Sequence, residues 1–213
     1  MFTTLKKRLS KTLSFRILLI ALFLSLILLY SSAAFGAVWY VRGDIGASGN
    51  GTAWSNAFKT IQEAIGAAST GDEIWLKNGT YLLSSQISVD KAVGIYGGFD
   101  GSETQRDQRD WGNNVTIIDG QDSVYHCFYV TSDATIDGLT ITGGNANASG
   151  WIDSSGGGIF NEDSSSPTIT NCTFSGNSAK NDGGGVFNNF NSSPTITNCT
   201  FSGNSAENGG GGP

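Results

Sequence analysis

Asp119 and Asp122 stand three residues apart in a turn-like "DGQD" segment. Two neighbouring carboxylates are what a glycoside hydrolase uses, one protonating the leaving oxygen while the other attacks or activates water. Together with Asp133 and Asp137 they are also candidate oxygen ligands for Ca²⁺, the metal of a polysaccharide lyase, which further needs a Lys or Arg base beside the substrate. That base is hard to supply. From Asp110 onward the basic side chains are His126 and Lys180, and Lys180 lies in a linker where Glu207 takes its place one repeat later, so it reads as a solvated loop charge. The competing reading of Asp119 and Asp122 is turn chemistry, because a short Asp side chain bonds its own backbone. Asp137 aligns with Thr170 and Thr197, an outward strand position, which predicts solvation.

His126 and Cys127 are adjacent and invite a Cys/His nucleophile, but neighbours in a strand point to opposite faces. The prediction is therefore a solvent-facing His126 beside a core Cys127. No G-x-S-x-G, P-loop or H-E-x-x-H pattern occurs. These residues assign no catalytic group beyond the Asp119 and Asp122 candidates, no metal centre and no cofactor, with weak Ca²⁺ binding the remaining option. For binding, the aromatic side chains matter more. Trp54, Trp75, Tyr81, Tyr96, Trp111, Tyr125 and Tyr129 offer rings that could stack along a sugar-binding groove, but most of them read as core or cap, whereas Trp151 stands in an insertion and is the candidate for a binding surface.

The element that must position these groups is a repeat. "SPTITNCTFSGNSA" runs from Ser166 to Ala179 and again, unchanged, from Ser193 to Ala206. The triplet Gly156, Gly157, Gly158 recurs at Gly183, Gly184, Gly185 and at Gly210–Gly212 with the same period. A degenerate copy, Thr135–Ala146, aligns without a gap on Thr168–Ala179, but its spacing exceeds that period, so six extra residues fall around Trp151. A unit this short cannot bury its own apolar face, and stacking copies solves that. Three short strands and three turns per repeat fit one coil of a parallel β-helix, an all-β solenoid whose coils lie ~4.8 Å apart. Equivalent positions then form ladders: Ile136, Ile169, Ile196; Ile141, Phe174, Phe201; and Leu139, Cys172, Cys199. In the last, each Cys reads as a small buried hydrophobe, although stacked Cα atoms ~4.8 Å apart would also admit a bridge. Three cysteines without C-x-x-C spacing do not make a disulfide framework. Asn171 and Asn198 are placed at a bend, where the side chain can bond the turn and the next Asn.

Upstream, "AFKTIQEAIGAAS" has Phe58, Ile61, Ile65 and Ala68 on one face, which predicts a helix over 58–69 ahead of the first coils. An open coil end exposes strand edges, so this helix is read as an N-terminal cap. Residues 1–36 carry a basic start, the apolar run Ile17–Tyr30 and small residues at Ala34 and Gly36: a secretory signal peptide, or an uncleaved membrane anchor. Beyond it seven basic residues face 18 acidic ones, a net charge of −11, which disfavours nucleic acid and anionic lipid as partners. The expected organisation is 1–36 export segment, 37–115 cap and first strands, and 116–213 coils, with the 27-residue repeats from about 156.

The pairing of Gly156–Ile159 and Gly183–Val186 with the downstream Phe174–Asn177 and Phe201–Asn204 resembles the chlamydial polymorphic outer membrane protein repeat, a GG[A/G]-[I/V/L] motif followed by F-x-x-N. In motif terms the residues are Gly156, Gly157, Gly158 and Ile159 with Phe174 and Asn177, then Gly183, Gly184, Gly185 and Val186 with Phe201 and Asn204. The N-terminal part, including "GNGTAWSNAFKTIQEAIGAASTGDEIWLKNGTY", looks like the opening of pectate-lyase-like right-handed β-helices. The resemblance implies a right-handed parallel β-helix on a bacterial surface, where the chlamydial members are autotransporter adhesins. The chain shows no membrane barrel after the repeats and stops where a coil should start, which suggests a truncated gene or a fragment. The expected function is that of an exported, extracellular or outer-membrane-surface protein that binds polysaccharide or a host or cell-surface ligand without catalysis. The alternatives are a fragment of a polysaccharide lyase or glycoside hydrolase, and a truncated product with no function of its own. Membrane contact is expected only through the N-terminal segment, and self-association at open coil ends.

Overall fold

The computed structural model describes residues 36–209. The expected export segment up to residue 35 and the third glycine triplet lie outside the described residues. The chain winds through three sheets in turn, rung after rung. The first rung holds only β1 (Val38–Val41). The second holds β2 (Glu73–Lys77), β3 (Gly79–Leu82) and β4 (Ile87–Val89), and the third β5 (Gly94–Phe99), β6 (Thr116–Val124) and β7 (Phe128–Val130). The fourth holds β8 (Thr135–Asp137), β9 (Thr140–Ala146) and β10 (Ile159–Asn161). The two repeat coils follow: β11 (Thr168–Thr170), β12 (Thr173–Ser175), β13 (Ser178–Ala179) and β14 (Val186–Asn188), then β15 (Thr195–Thr197), β16 (Thr200–Ser202) and β17 (Ser205–Ala206).

Every pairing is parallel. The first sheet is ordered β1-β2-β5-β8-β11-β15, the second β3-β6-β9-β12-β16 with β13 and β17 extending from the end of β9, and the third β4-β7-β10-β14. This is a parallel β-helix. Registers are direct except for slips in β2–β5 between Trp75 and Lys77 and in β6–β9 between Asp119 and Val124, so along the inward columns like stacks on like. Ile74, Ile95, Ile136, Ile169 and Ile196 form one inward column. Tyr81, Ile118, Ile141, Phe174 and Phe201 form a second, and Ile87, Phe128, Ile159 and Val186 a third. All three belong to one core cluster.

The single α-helix among the described residues, α1 (Ile61–Ala67), is shorter than the span 58–69 predicted from periodicity. Its start is set by a capping box: Glu63 N–H donates to Thr60 Oγ1 (3.3 Å) and Thr60 N–H to Glu63 Oε2 (2.9 Å). Phe58 is therefore left outside the helix, in extended chain that bridges Val41. At the other end Lys91 Nζ donates to the Ile65 and Ala68 carbonyls (2.9 and 2.8 Å), satisfying oxygens that the helix cannot. Ile61, Ala64 and Ile65 are buried against the first rungs. Asp72 ties the helix exit to β1 by accepting from Ala37 N (2.7 Å), Trp39 Nε1 (3.0 Å) and Ser69 N (2.8 Å).

Candidate functional site

Asp119 and Asp122 flank a bulge in β6, where the register with β9 slips between Asp119 and Val124. Gln121 and Asp122 adopt left-handed backbone (φ 55° and 53°), and Gln121 N–H donates to Asp119 Oδ1 (2.8 Å). Asp119 is thus engaged in its own turn while Asp122 is exposed. Among the described residues no group of three or more His, Cys, Asp or Glu side chains is assembled that could hold a metal ion.

Asp137 is not solvated, contrary to the expectation from its alignment with Thr170 and Thr197. It is buried, and Arg109 Nη2 lies 2.5 Å from its Oδ2. Arg109 Nη1 also donates to the Gly97 and Asp137 carbonyls (3.1 and 3.3 Å), and the guanidinium sits over the Tyr96 ring, 5.2 Å from its centroid. The other carboxylate oxygen accepts from Asn171 Nδ2 (2.9 Å), and Asn171 Oδ1 in turn from Asn198 Nδ2 (2.6 Å). The repeat alignment could not show this, because Arg109 comes from a segment outside the repeat that folds over the first sheet.

His126 is a second correction. Its side chain is fully buried, not solvent-facing, and Nδ1 lies 2.9 Å from the Gly156 carbonyl oxygen. Alternation fails here because His126 and Cys127 precede β7 and lie in irregular chain. Burial lowers the His126 pKa. The Cys127 thiol donates to the Thr142 carbonyl (3.2 Å), and burial pushes it up to about 12, so it is no nucleophile at neutral pH.

His126 belongs instead to an aromatic face. The outward column of the third sheet reads Ser88, Tyr129, Phe160, Phe187. Tyr129 stacks on Phe160 with ring centroids 5.7 Å apart, Phe160 is 5.4 Å from Phe187, and the His126 ring is 5.1 Å from Phe160. The loop with the six extra residues crosses this face. Its Trp151 meets Phe187 edge-on at 6.0 Å and is 55% exposed. Polar groups border the row. The Tyr129 hydroxyl donates to Glu162 Oε2, and Asn189 Nδ2 reaches Glu162 Oε1 (3.5 Å). Burial raises the Glu162 carboxyl. Asp153 Oδ1 lies 4.0 Å from His126 Nε2, a buried nitrogen without a hydrogen-bond partner. Phe160 and Glu162 are themselves buried, so the part of this face open to a sugar ring is the exposed Trp151 indole, with the half-exposed Asp153 two residues on; an indole stacks on the apolar face of a sugar.

The family model described as "Protein of unknown function (DUF1565)" matches residues 42–212. The chain belongs to this family. It is a family associated with right-handed β-helix proteins. No curated protein and no solved structure matches the chain.

The region shared with the family takes in both repeat motifs, and the structure shows why they travel together. Asn177 turns inward, where its Nδ2 donates to the Ile141 carbonyl (2.9 Å) and to Asn204 Oδ1 (3.0 Å), while its Oδ1 accepts from Gly144 N–H (3.1 Å). Phe174 and Asn177 then crowd Gly158: a Cβ there would stand 3.1 Å from the Phe174 ring and 2.4 Å from the Gly185 carbonyl oxygen. Only glycine lets the triplet pass that close. The same family region holds a cleft of about 380 Å³ between the start of α1 and the β3–β4 connection, lined by Lys59, Gln62, Leu82 and Ser84 among others.

Leu139, Cys172 and Cys199 occupy one position in successive coils, each just before the paired residues Thr140, Thr173 and Thr200. Leu139 and Cys172 are buried and Cys199 is half-buried. Contact with Cys199 and burial push the Cys172 thiol up, and the hydrogen bond from Cys172 brings Cys199 down to about 7. Phe160, Glu162 and Arg109 were not singled out from the sequence as a site, and Tyr129 was named only among aromatics read mostly as core or cap. The one usable signal was Phe160 and Phe187 recurring one repeat apart in "IFN" and "VFN".

Proposed function

We propose that this chain is a non-catalytic, exported surface protein that binds carbohydrate through the outer face of its third sheet. The observation that carries this reading is Trp151, exposed in a loop laid against the aromatic column. The engagement of Asp119 in its own turn and of Arg109 with Asp137 supports binding over cleavage. The likeness of the glycine-triplet and F-x-x-N motifs to chlamydial polymorphic outer membrane protein repeats supports surface exposure and adhesion, and the residue pattern of 1–36 supports export.

Affinity electrophoresis of the chain against neutral and uronate polysaccharides tests the reading. Retardation by at least one polymer is expected, with Trp151→Ala weakening binding about tenfold, as loss of a stacking contact worth ~1.4 kcal/mol requires. Release of unsaturated or reducing ends from a uronate polymer, abolished by Asp119→Asn with Asp122→Asn, would overturn it in favour of a lyase or hydrolase.

A further inference from the structure

We propose that Cys172 and Cys199 form a disulfide that ties one repeat coil to the next. Both cysteines follow an asparagine held at φ 52°, so the local chain is the same in each coil. On either side of them the pairs Thr170–Thr197 and Thr173–Thr200 are in direct register. Cα atoms on adjacent paired rungs lie ~4.8 Å apart, inside the roughly 4.4–6.8 Å that a disulfide spans. The Cys199 sulfur already leans toward the neighbouring coil, 3.4 Å from the Cys172 backbone nitrogen. Cys172 Sγ donates to the Thr170 carbonyl (3.2 Å), a weak bond that a rotamer change gives up. Cys127 lies on another side of the coil, against Thr142, and is left as a thiol.

The oxidant is a small-molecule or protein disulfide. Cys199, the more exposed thiol, attacks one sulfur as its thiolate and releases the other as a thiol, giving a mixed disulfide. Cys172 then attacks Cys199 Sγ. The second half of the oxidant leaves as a thiol, carrying the Cys172 proton. Two protein thiols become one disulfide and one oxidant disulfide becomes two thiols. The bridge joins the two identical repeats across one full coil of chain and restricts the unfolded state, so it holds the later coil onto the stack.

The test takes the whole chain, reduced, then exposed to oxidised glutathione. The expected result is loss of two hydrogens in the intact mass, a non-reducing digest that links the Cys172 and Cys199 peptides, and a higher urea midpoint than that of the reduced chain. The Cys127→Ser variant should behave identically, and Cys172→Ser should leave Cys199 carrying glutathione. If both thiols remain open to alkylation after oxidation and unfolding, the idea fails. It also fails if the wild-type chain stops at glutathionylated Cys199 or links only between chains.

Discussion

The rungs before β8 and the rungs from β8 onward build the same coil by different means. In the early rungs no two neighbours share a sequence, and each contact is made once. Trp75 stacks on Phe99 at 4.6 Å, Tyr40 meets Trp54 at 4.7 Å, and Asp72, Lys91 and Arg109 each satisfy a set of groups found nowhere else in the stack. In the repeats the contact is with a copy. Phe174 stacks on Phe201 at 4.7 Å with the rings 3° from parallel, and Asn171 and Asn177 bond Asn198 and Asn204 one coil on. The difference teaches that a self-matching sequence turns one good contact into a column. A non-matching one must place a dedicated partner at each rung. The two regimes meet at Asp137, which holds Arg109 from the irregular part and Asn171 from the first repeat.

The sharpest way to break the column regime is Phe174→Ala. The ring is fully buried, so a loss of about 3–5 kcal/mol is expected. Phe201→Ala removes the same ring from a partly exposed position and should cost clearly less. Equal losses in urea unfolding would show that position in the stack does not govern the contact. The dedicated-partner regime is probed at the junction. Arg109→Ala leaves Asp137 buried without its cation and should cost about 3 kcal/mol. Adding Asp137→Thr, the residue that the repeats carry there, should restore most of it. Failure of that rescue would mean that Arg109 acts through its bonds to Gly97 and the Asp137 carbonyl instead.

The smallest effect is a slope with pH. His126 has a lowered pKa in the folded chain because it is buried. Its contribution to stability is present above the unfolded value of about 6.5 and is lost as pH falls through that value toward the folded one, since the unfolded chain takes the proton first. The urea midpoint of the wild type should therefore drop between pH 7 and pH 5 more steeply than that of His126→Asn, whose amide can still donate to Gly156. Parallel slopes would remove His126 from the pH response. Glu162, raised by burial, acts with the opposite sign, losing stability as pH rises through its folded value, and is common to both chains.

The same contrast explains what could be read from residues. The inward columns of the repeats were legible because the chain aligns with itself: Ile136 over Ile169 over Ile196 is visible on the page and in the sheet. The helix was legible by period, but its start was decided by the Thr60–Glu63 capping box. His126 and Asp137 were misread for related reasons. One was assigned strand alternation where no strand exists, and the other the environment of its repeat equivalents although Arg109 reaches only it. The aromatic face was half legible: Trp151 stood out in its insertion and Phe160 and Phe187 share the period, but nothing local joins Tyr129 to them.

The order of apolar, turn and glycine residues within a single repeat was enough to determine a stack of parallel coils, because a unit too small for its own core must bury its face on a copy. Which side chains meet across the outer surface was decided only by tertiary structure. Arg109 and Asp137 are 28 residues apart, and Tyr129 and Glu162 are 33 apart. Contacts at such separations depend on how loops of unequal length fold over the sheets, and local pattern carries no record of that.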